Sequence, residues 1–374
     1  MYRDKIYADM LNSLGVPTPQ NKFARVFING EPMGLFDLSD TVSNHRYLRE
    51  TLNNGSKFDV ENPLFKADYF PPSAYGDLGY YGAEPDNPKY SIYYYKGKSI
   101  EDVDEDRAYQ ISTAVNKQYL IPFLQDISQY PNKKSLNLDI DMFLKFMAMQ
   151  FLGGSLDNYW SRPGNYFLYK NMNYNGGQWL FLDSDYHYTF GIGGDKFNEY
   201  IKVDIDGYAA LNDEIDPARP LLDNIRKDEE KEIFFKDVFK RLIETAFHVD
   251  AIFPRIDSIV ELIREDVAWD LSLPRMSGYP DAEDFHFTLD DFNDQVTNDS
   301  TGCENLTDLM PIKCWIRHRG KNTAAQLGFD YPKSPDRSLG DVPTLVQSDK
   351  SAATKTKISM TSIAIICVLF ALLF

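Results

Sequence analysis

Positive charge is scarce in this chain. Lysine and arginine number 39 against 56 acidic residues, a formal net charge of −17. Sequence-independent nucleic-acid binding needs Lys and Arg to displace phosphate counterions, so that class is excluded and no nucleic acid is expected as a partner. Histidine is rarer still, at five residues, and no H-E-x-x-H pair occurs. The G-x-x-x-x-G-K-S/T phosphate loop and the G-x-S-x-G nucleophile elbow are also missing, which removes the zincin, P-loop and α/β-hydrolase chemistries. There is no internal repeat. Only three cysteines are present, too few for a disulfide scaffold. Met1-Tyr-Arg-Asp does not open a signal peptide.

Aromatic residues, by contrast, are plentiful, with 24 Tyr and 25 Phe among 374 residues. That supply supports a sizeable core, in one large two-lobed domain or two ordinary ones. Cys303 and Cys314 stand in a polar, Gly-containing segment, whereas Cys367 lies in an apolar tail; setting the tail aside leaves an even pair that fits a disulfide in an oxidising compartment. Sequons at Asn54, Asn298 and Asn305 are compatible with secretion and N-glycosylation. Residues 334–357 are polar, and 358–374 form an uncharged apolar run to the last residue. Small residues Ser351, Ala352 and Ala353, a polar spacer and that tail match a GPI-attachment signal; a C-terminal transmembrane anchor is the alternative. Either places the chain at a membrane or cell surface through the secretory pathway, so the amino terminus reads as incomplete.

Along the chain, Ile6, Tyr7, Met10, Leu11 and Leu14 predict a helix stopped by Gly15 and Pro17. Strands around Asn29-Gly30 predict a hairpin, with Pro32 confined to an edge. A helix is expected over 43–52, a strand over 90–95, and an ordered Tyr-rich loop over 69–81. The acidic run 101–106 suits a helix start. Residues 138–152 form an apolar helix ended by Gly153-Gly154, and three further helices follow over 220–226, 229–247 and 250–269. The acidic segment 281–294 is expected at the surface, and His286 within it has no companion at ligand spacing.

The stretch from Asp157 to Gly191 organises the rest. Tyr166–Tyr169 and Trp179–Leu182 are buried-strand runs joined by Asn175-Gly176-Gly177, which predicts a hairpin. Pairing brings Asp157 and Asn165, before the first strand, towards Asp183 and Asp185 at the end of the second. Four oxygen-bearing side chains at one hydrophobic edge would suit Mg²⁺; an ordinary hairpin whose Asp and Asn residues cap turns is the competing reading.

Several pieces together resemble the CotH family of spore-coat kinase-like proteins, and more closely its fungal cell-surface members of the Mucorales type. They are Tyr2-Arg-Asp-Lys-Ile-Tyr-Ala-Asp-Met-Leu with Leu14-Gly-Val-Pro17, Val26-Phe-Ile-Asn-Gly30 with Gly34-Leu-Phe36, Pro63-Leu-Phe-Lys66, Leu156-Asp-Asn-Tyr159 with Gly164-Asn-Tyr-Phe-Leu-Tyr169, and Trp179 to Gly191. The likeness runs to about residue 330. It implies an α+β, atypical protein-kinase-like two-lobed fold over 1–333, with a small, N-terminally incomplete β lobe in 1–98 and a larger, mainly helical lobe in 99–333. It also implies phosphate transfer from ATP, with Mg²⁺ or Mn²⁺, to Ser/Thr of a coat or surface protein. By position Asp157 would be the catalytic aspartate, Asn165 and Asp185 metal ligands with Asp183 assisting, and Lys66 an ATP-binding lysine. Asp40 stands where the family usually has Glu, a shorter reach for an ion pair. The alternative function is a surface adhesin or invasin that binds a host-cell receptor, with weak or no kinase activity.

Overall fold

Gly15, at φ +70°, ends the first helix and turns the chain into an extended ribbon. The computed structural model describes residues 2–338 apart from 195, 275–286 and 307–308. Helix α1 (Tyr2–Ser13) buries Ile6, Tyr7, Met10 and Leu11. Strands β1 (Asn21–Ile28) and β2 (Glu31–Ser39) pair antiparallel in a sheet of their own, turning at Asn29 and Gly30, both at positive φ. Asn44 caps α2 (His45–Leu52). The strands β3 (Leu64–Ala67), β4 (Tyr69–Phe70), β5 (Ala74–Tyr75) and β6 (Tyr93–Tyr95) follow; β4 and β5 form a minimal hairpin inside the Tyr-rich loop.

The acidic run does open a helix. Asp104 accepts from Arg107 N (2.8 Å) and caps α3 (Glu105–Val115), which continues through a π-helical turn into α4 (Ile121–Gln129). Asp139 likewise caps α5 (Ile140–Gly153), whose apolar side chains are almost all buried and which ends at Gly154, φ +60°. Strands β7 (Tyr166–Asn171) and β8 (Gln178–Asp183) form the expected hairpin. They join β3 and β6 in a four-stranded antiparallel sheet of order β6-β3-β7-β8, so this sheet draws on segments from both sides of residue 98. Its inner face packs on α5 through Phe181, whose ring lies 5.2 Å from Phe143 and 6.0 Å from Phe146.

The remainder is helical: α6 (Phe197–Tyr200), α7 (Pro220–Ile225), α8 (Glu229–Glu244), α9 (Val249–Ser272), α10 (Leu289–Thr297) and α11 (Ile312–Gln326). Small antiparallel sheets beside many helices make the fold α+β. Helix α9 reaches back to the first ribbon: Asp270 accepts from Leu35 N (2.8 Å), while Arg25 pairs with Asp266 and lies over the Trp269 ring. Cys303 and Cys314 form a disulfide. Among the described residues no helix is long and apolar enough to cross a membrane. His286 and the whole C-terminal anchor region, including Ser351, Ala352 and Ala353, lie outside the described residues. Asn54 and Asn305 are exposed, whereas Asn298 is half-buried and bonded to Asp294 and Ser300.

Candidate functional site

The register of the four-stranded sheet sets Lys66 directly opposite Phe167 and Tyr166 opposite Asp183. Asn165 and Ser184 extend that ladder by one step: Asn165 O accepts from Ser184 N (3.0 Å) and Ser184 Oγ (2.7 Å). A cleft of about 380 Å³ opens here between the sheet edge and the α1–β1–β2 segment. Its polar lining includes Asp4, Asp37, Asp40, Lys66, Asn165 and Asp185.

Asn165 and Asp185 both adopt left-handed backbone conformations, φ +53° and +60°. Asn tolerates this region better than most residues and Asp shares the preference, so the carboxamide and the carboxylate can be aimed off the strand axis. Asn165 Nδ2 donates to Asp157 Oδ2 (3.0 Å) and to Asp157 O (3.1 Å), which fixes the amide beside the carboxylate. The other Asp157 oxygen, Oδ1, is buried with no hydrogen-bond partner, and Asp157 stands behind the cleft rather than among the residues that line it. Burial and the nearby Asp185 charge push the Asp157 carboxyl up to about 6. Asp185 pairs with His187 Nδ1, and that contact raises the imidazole above its ordinary value. Asp4 completes a cluster with these two, their ligating atoms all within 4.8 Å of one another.

Asp183 is placed differently. It is fully buried and does not line the cleft; its carboxylate accepts from Gln150 Nε2 (3.0 Å), Asn158 Nδ2 (2.9 Å) and Ser184 N (3.2 Å). Burial lifts it to about 8 in spite of those donors. Asp183 therefore orders the wall behind the cleft. Lys66 forms an ion pair with Asp68 (2.8 Å), while Asp40 accepts from Gln20 N (3.2 Å), so no ion pair joins Lys66 to Asp40.

The loop after Asp157 is held by Arg219, which is fully buried. Its Nε donates to Tyr159 O (3.0 Å) and Trp160 O (2.9 Å), and Nη2 donates to Ser161 O (2.6 Å). Gln150 serves two sides, donating to Asp183 and accepting from Trp160 N (2.9 Å). Sequence reasoning missed both residues. Gln150 did carry a signal, as an uncharged polar residue within the apolar α5; Arg219 carried none. Asp4 and Asp37 were also missed, because they reach the cleft from elements far away in sequence. Asp37 accepts from Asn21 Nδ2 (2.8 Å), and its other oxygen is buried without a partner.

A family model described as CotH kinase protein matches residues 1–297, and this span holds every residue of the cleft. The chain belongs to the CotH kinase protein family. Among curated proteins, this CotH chain is similar to three from Rhizopus delemar. It is 26% identical to Spore coat protein homolog 1 over 285 residues, 23% identical to Invasin CotH2 over 277 and 22% identical to Invasin CotH3 over 283. Each match covers 74% of this chain but only 41–44% of the relative. The CotH chain thus spans less than half the length of the curated relatives it matches.

Proposed function

We propose that the cleft transfers the terminal phosphoryl group of ATP, with Mg²⁺ or Mn²⁺, to a Ser or Thr hydroxyl of a coat or surface protein. The observation that carries this reading is the convergence of Lys66, Asn165 and Asp185 on one cleft, with Asp157 locked directly behind Asn165. An atypical kinase-like, two-lobed arrangement is supported by the α1–β1–β2 segment facing the four-stranded sheet across that cleft. The donors are hard oxygens, and Asp157 Oδ1 and Asp37 Oδ1 are buried without partners, so the residues fit a small hard cation. Asn165 and Asp185 would hold that cation, which when bound would neutralise charge on the phosphate oxygens. Lys66, on the adjacent strand, offers a point charge to the same oxygens. Asp157 would take the proton of an attacking hydroxyl that reaches past Asn165 to its carboxylate; its raised carboxyl suits a general base working near neutral pH. Asn165 keeps that carboxylate oriented, and Arg219 keeps the loop in place.

The test is phosphate transfer from labelled ATP with Mg²⁺ or Mn²⁺, comparing the wild type with Asp185→Ala. Equal incorporation by the two would sink the reading.

A second reading, a surface adhesin that engages a host-cell receptor, is supported by the similarity to Rhizopus delemar proteins named invasins. Exposed Phe70 and Tyr81 in the Tyr-rich loop, with Tyr94 on β6, are suited to a contact surface. Attachment through the C-terminal apolar segment, by a GPI link or as a hydrophobic anchor, would display it on the cell. Cells carrying Asp185→Ala would then adhere to host cells like wild type, whereas cells lacking the protein would not. Release by a phosphatidylinositol-specific phospholipase separates the two modes of attachment.

A further inference from the structure

Two other ligating side chains face the disulfide. Glu304 follows Cys303 in a single 3₁₀ turn, and His318 lies one helical turn after Cys314 on α11. The two sulfurs, a Glu304 carboxylate oxygen and a His318 ring nitrogen all lie within 4.8 Å of one another. Both cysteines are buried, at 4% and 0% exposure. Glu304 Oε2 is buried without a hydrogen-bond partner and stands 3.5 Å from His318 Nε2. Two sulfurs, an imidazole and a carboxylate form a donor set suited to tetrahedral Zn²⁺. With metal–sulfur bonds of about 2.3 Å, two thiolates on one zinc stand about 3.8 Å apart. The Cα–Cα distance of 6.1 Å accommodates that separation once the S–S bond opens. The group lies beyond the residues matched by the family model.

We propose that Cys303, Cys314, His318 and Glu304 form a redox-gated zinc site, closed as a disulfide when oxidised and able to bind Zn²⁺ when reduced. A dithiol supplies two electrons and two protons and becomes a disulfide itself; the Cys303–Cys314 bond breaks and two thiols form. Zn²⁺ then takes both sulfurs as thiolates, releasing two protons, with neutral His318 and ionised Glu304 completing the tetrahedron. Either state ties the segment around Cys303 to α11. Beyond it, Met310 N donates to Gly191 O (2.8 Å), and Arg3 joins Met310 O and Phe190 O, which ties this part of the chain to α1 and to the end of the 157–191 stretch.

The full chain, reduced with dithiothreitol and desalted without oxygen, is titrated with Co²⁺ and then Zn²⁺. The expected result is an intense thiolate-to-cobalt charge-transfer band at one ion per chain, displaced by Zn²⁺ and absent from the oxidised protein. Zn²⁺ should also restore the melting temperature lost on reduction. His318→Gln leaves the disulfide intact and should weaken zinc binding by about tenfold or more, while its oxidised form melts like wild type. A reduced protein without the charge-transfer band overturns the proposal. So does an unchanged affinity in His318→Gln. Weak cobalt bands alone would place the ion on oxygen ligands elsewhere and count equally against it.

Discussion

Asp183 and Asp185 are separated by a single residue, yet they face different environments: Asp183 is fully buried under Gln150 and Asn158, and Asp185 is exposed in the cleft beside His187. Strand β8 ends at Asp183, and the left-handed backbone at Asp185 redirects the chain, so the two-residue alternation of a strand no longer applies.

Substitution should separate these roles. Asp183→Asn sets an amide donor against the Gln150 or Asn158 donor and should lower stability by about 1–3 kcal/mol. Asp185→Asn should leave stability within about 0.5 kcal/mol of wild type while cutting transfer by about a hundredfold or more. Urea unfolding and a labelled-ATP assay measure the two effects.

Asp157 gives a pH prediction. Its folded carboxyl titrates at about 6, above an unfolded value of about 4. The folded state therefore binds more protons between these values, and this residue's contribution to stability falls as pH rises through that window. Metal-free Asp157→Asn should show a flatter stability profile from pH about 4 to about 6. Transfer should fall on acidification, with a midpoint at or below about 6, since a bound cation lowers the carboxyl further.

Arg219→Lys replaces a planar fork with one ammonium and takes the Nε donor from the carbonyls of Tyr159 and Trp160, whereas Ser161 O keeps Asn212 Nδ2 (3.1 Å). The expected cost is about 3 kcal/mol, read as a lower urea midpoint with an unchanged slope. A midpoint equal to wild type would show that the loop holds itself.

Gly154 sits at φ +60°, and a Cβ there would stand 2.1 Å from Trp315 Cζ2. Gly154→Ala should therefore destabilise by about 2 kcal/mol or more, measurable as a drop in melting temperature.

Much of the fold was legible where local chemistry decides it. Asn175-Gly176-Gly177 and the apolar runs beside it marked the hairpin, and Gly154 and the acidic run ending at Asp106 marked helix ends. In the site, Lys66, Asn165 and Asp185 were legible as candidates and do meet at one cleft. The position of Asp183 was not, because strand alternation says nothing about where a strand stops. Asp4 and Asp37 were hidden for another reason: their approach depends on how α1 and the first ribbon dock, which short-range pattern does not encode. The same holds for Arg219, whose partners are backbone carbonyls some sixty positions earlier.

The tie between the first ribbon and α9 has a consequence for synthesis. Asp37 on β2 and Asp40 just beyond its end form part of the cleft wall, and β2 is fastened to α9 at Leu35 N and Asp270. A chain emerging amino terminus first makes the hairpin early, since its turn is local. The fastening awaits residue 270, after the whole four-stranded sheet has been translated. Closing so distant a contact is slow, so the nascent cleft stays open to its surroundings until late. During that interval the exposed Phe27, Ile28 and Leu38 of the ribbon are the surface that folding helpers would meet.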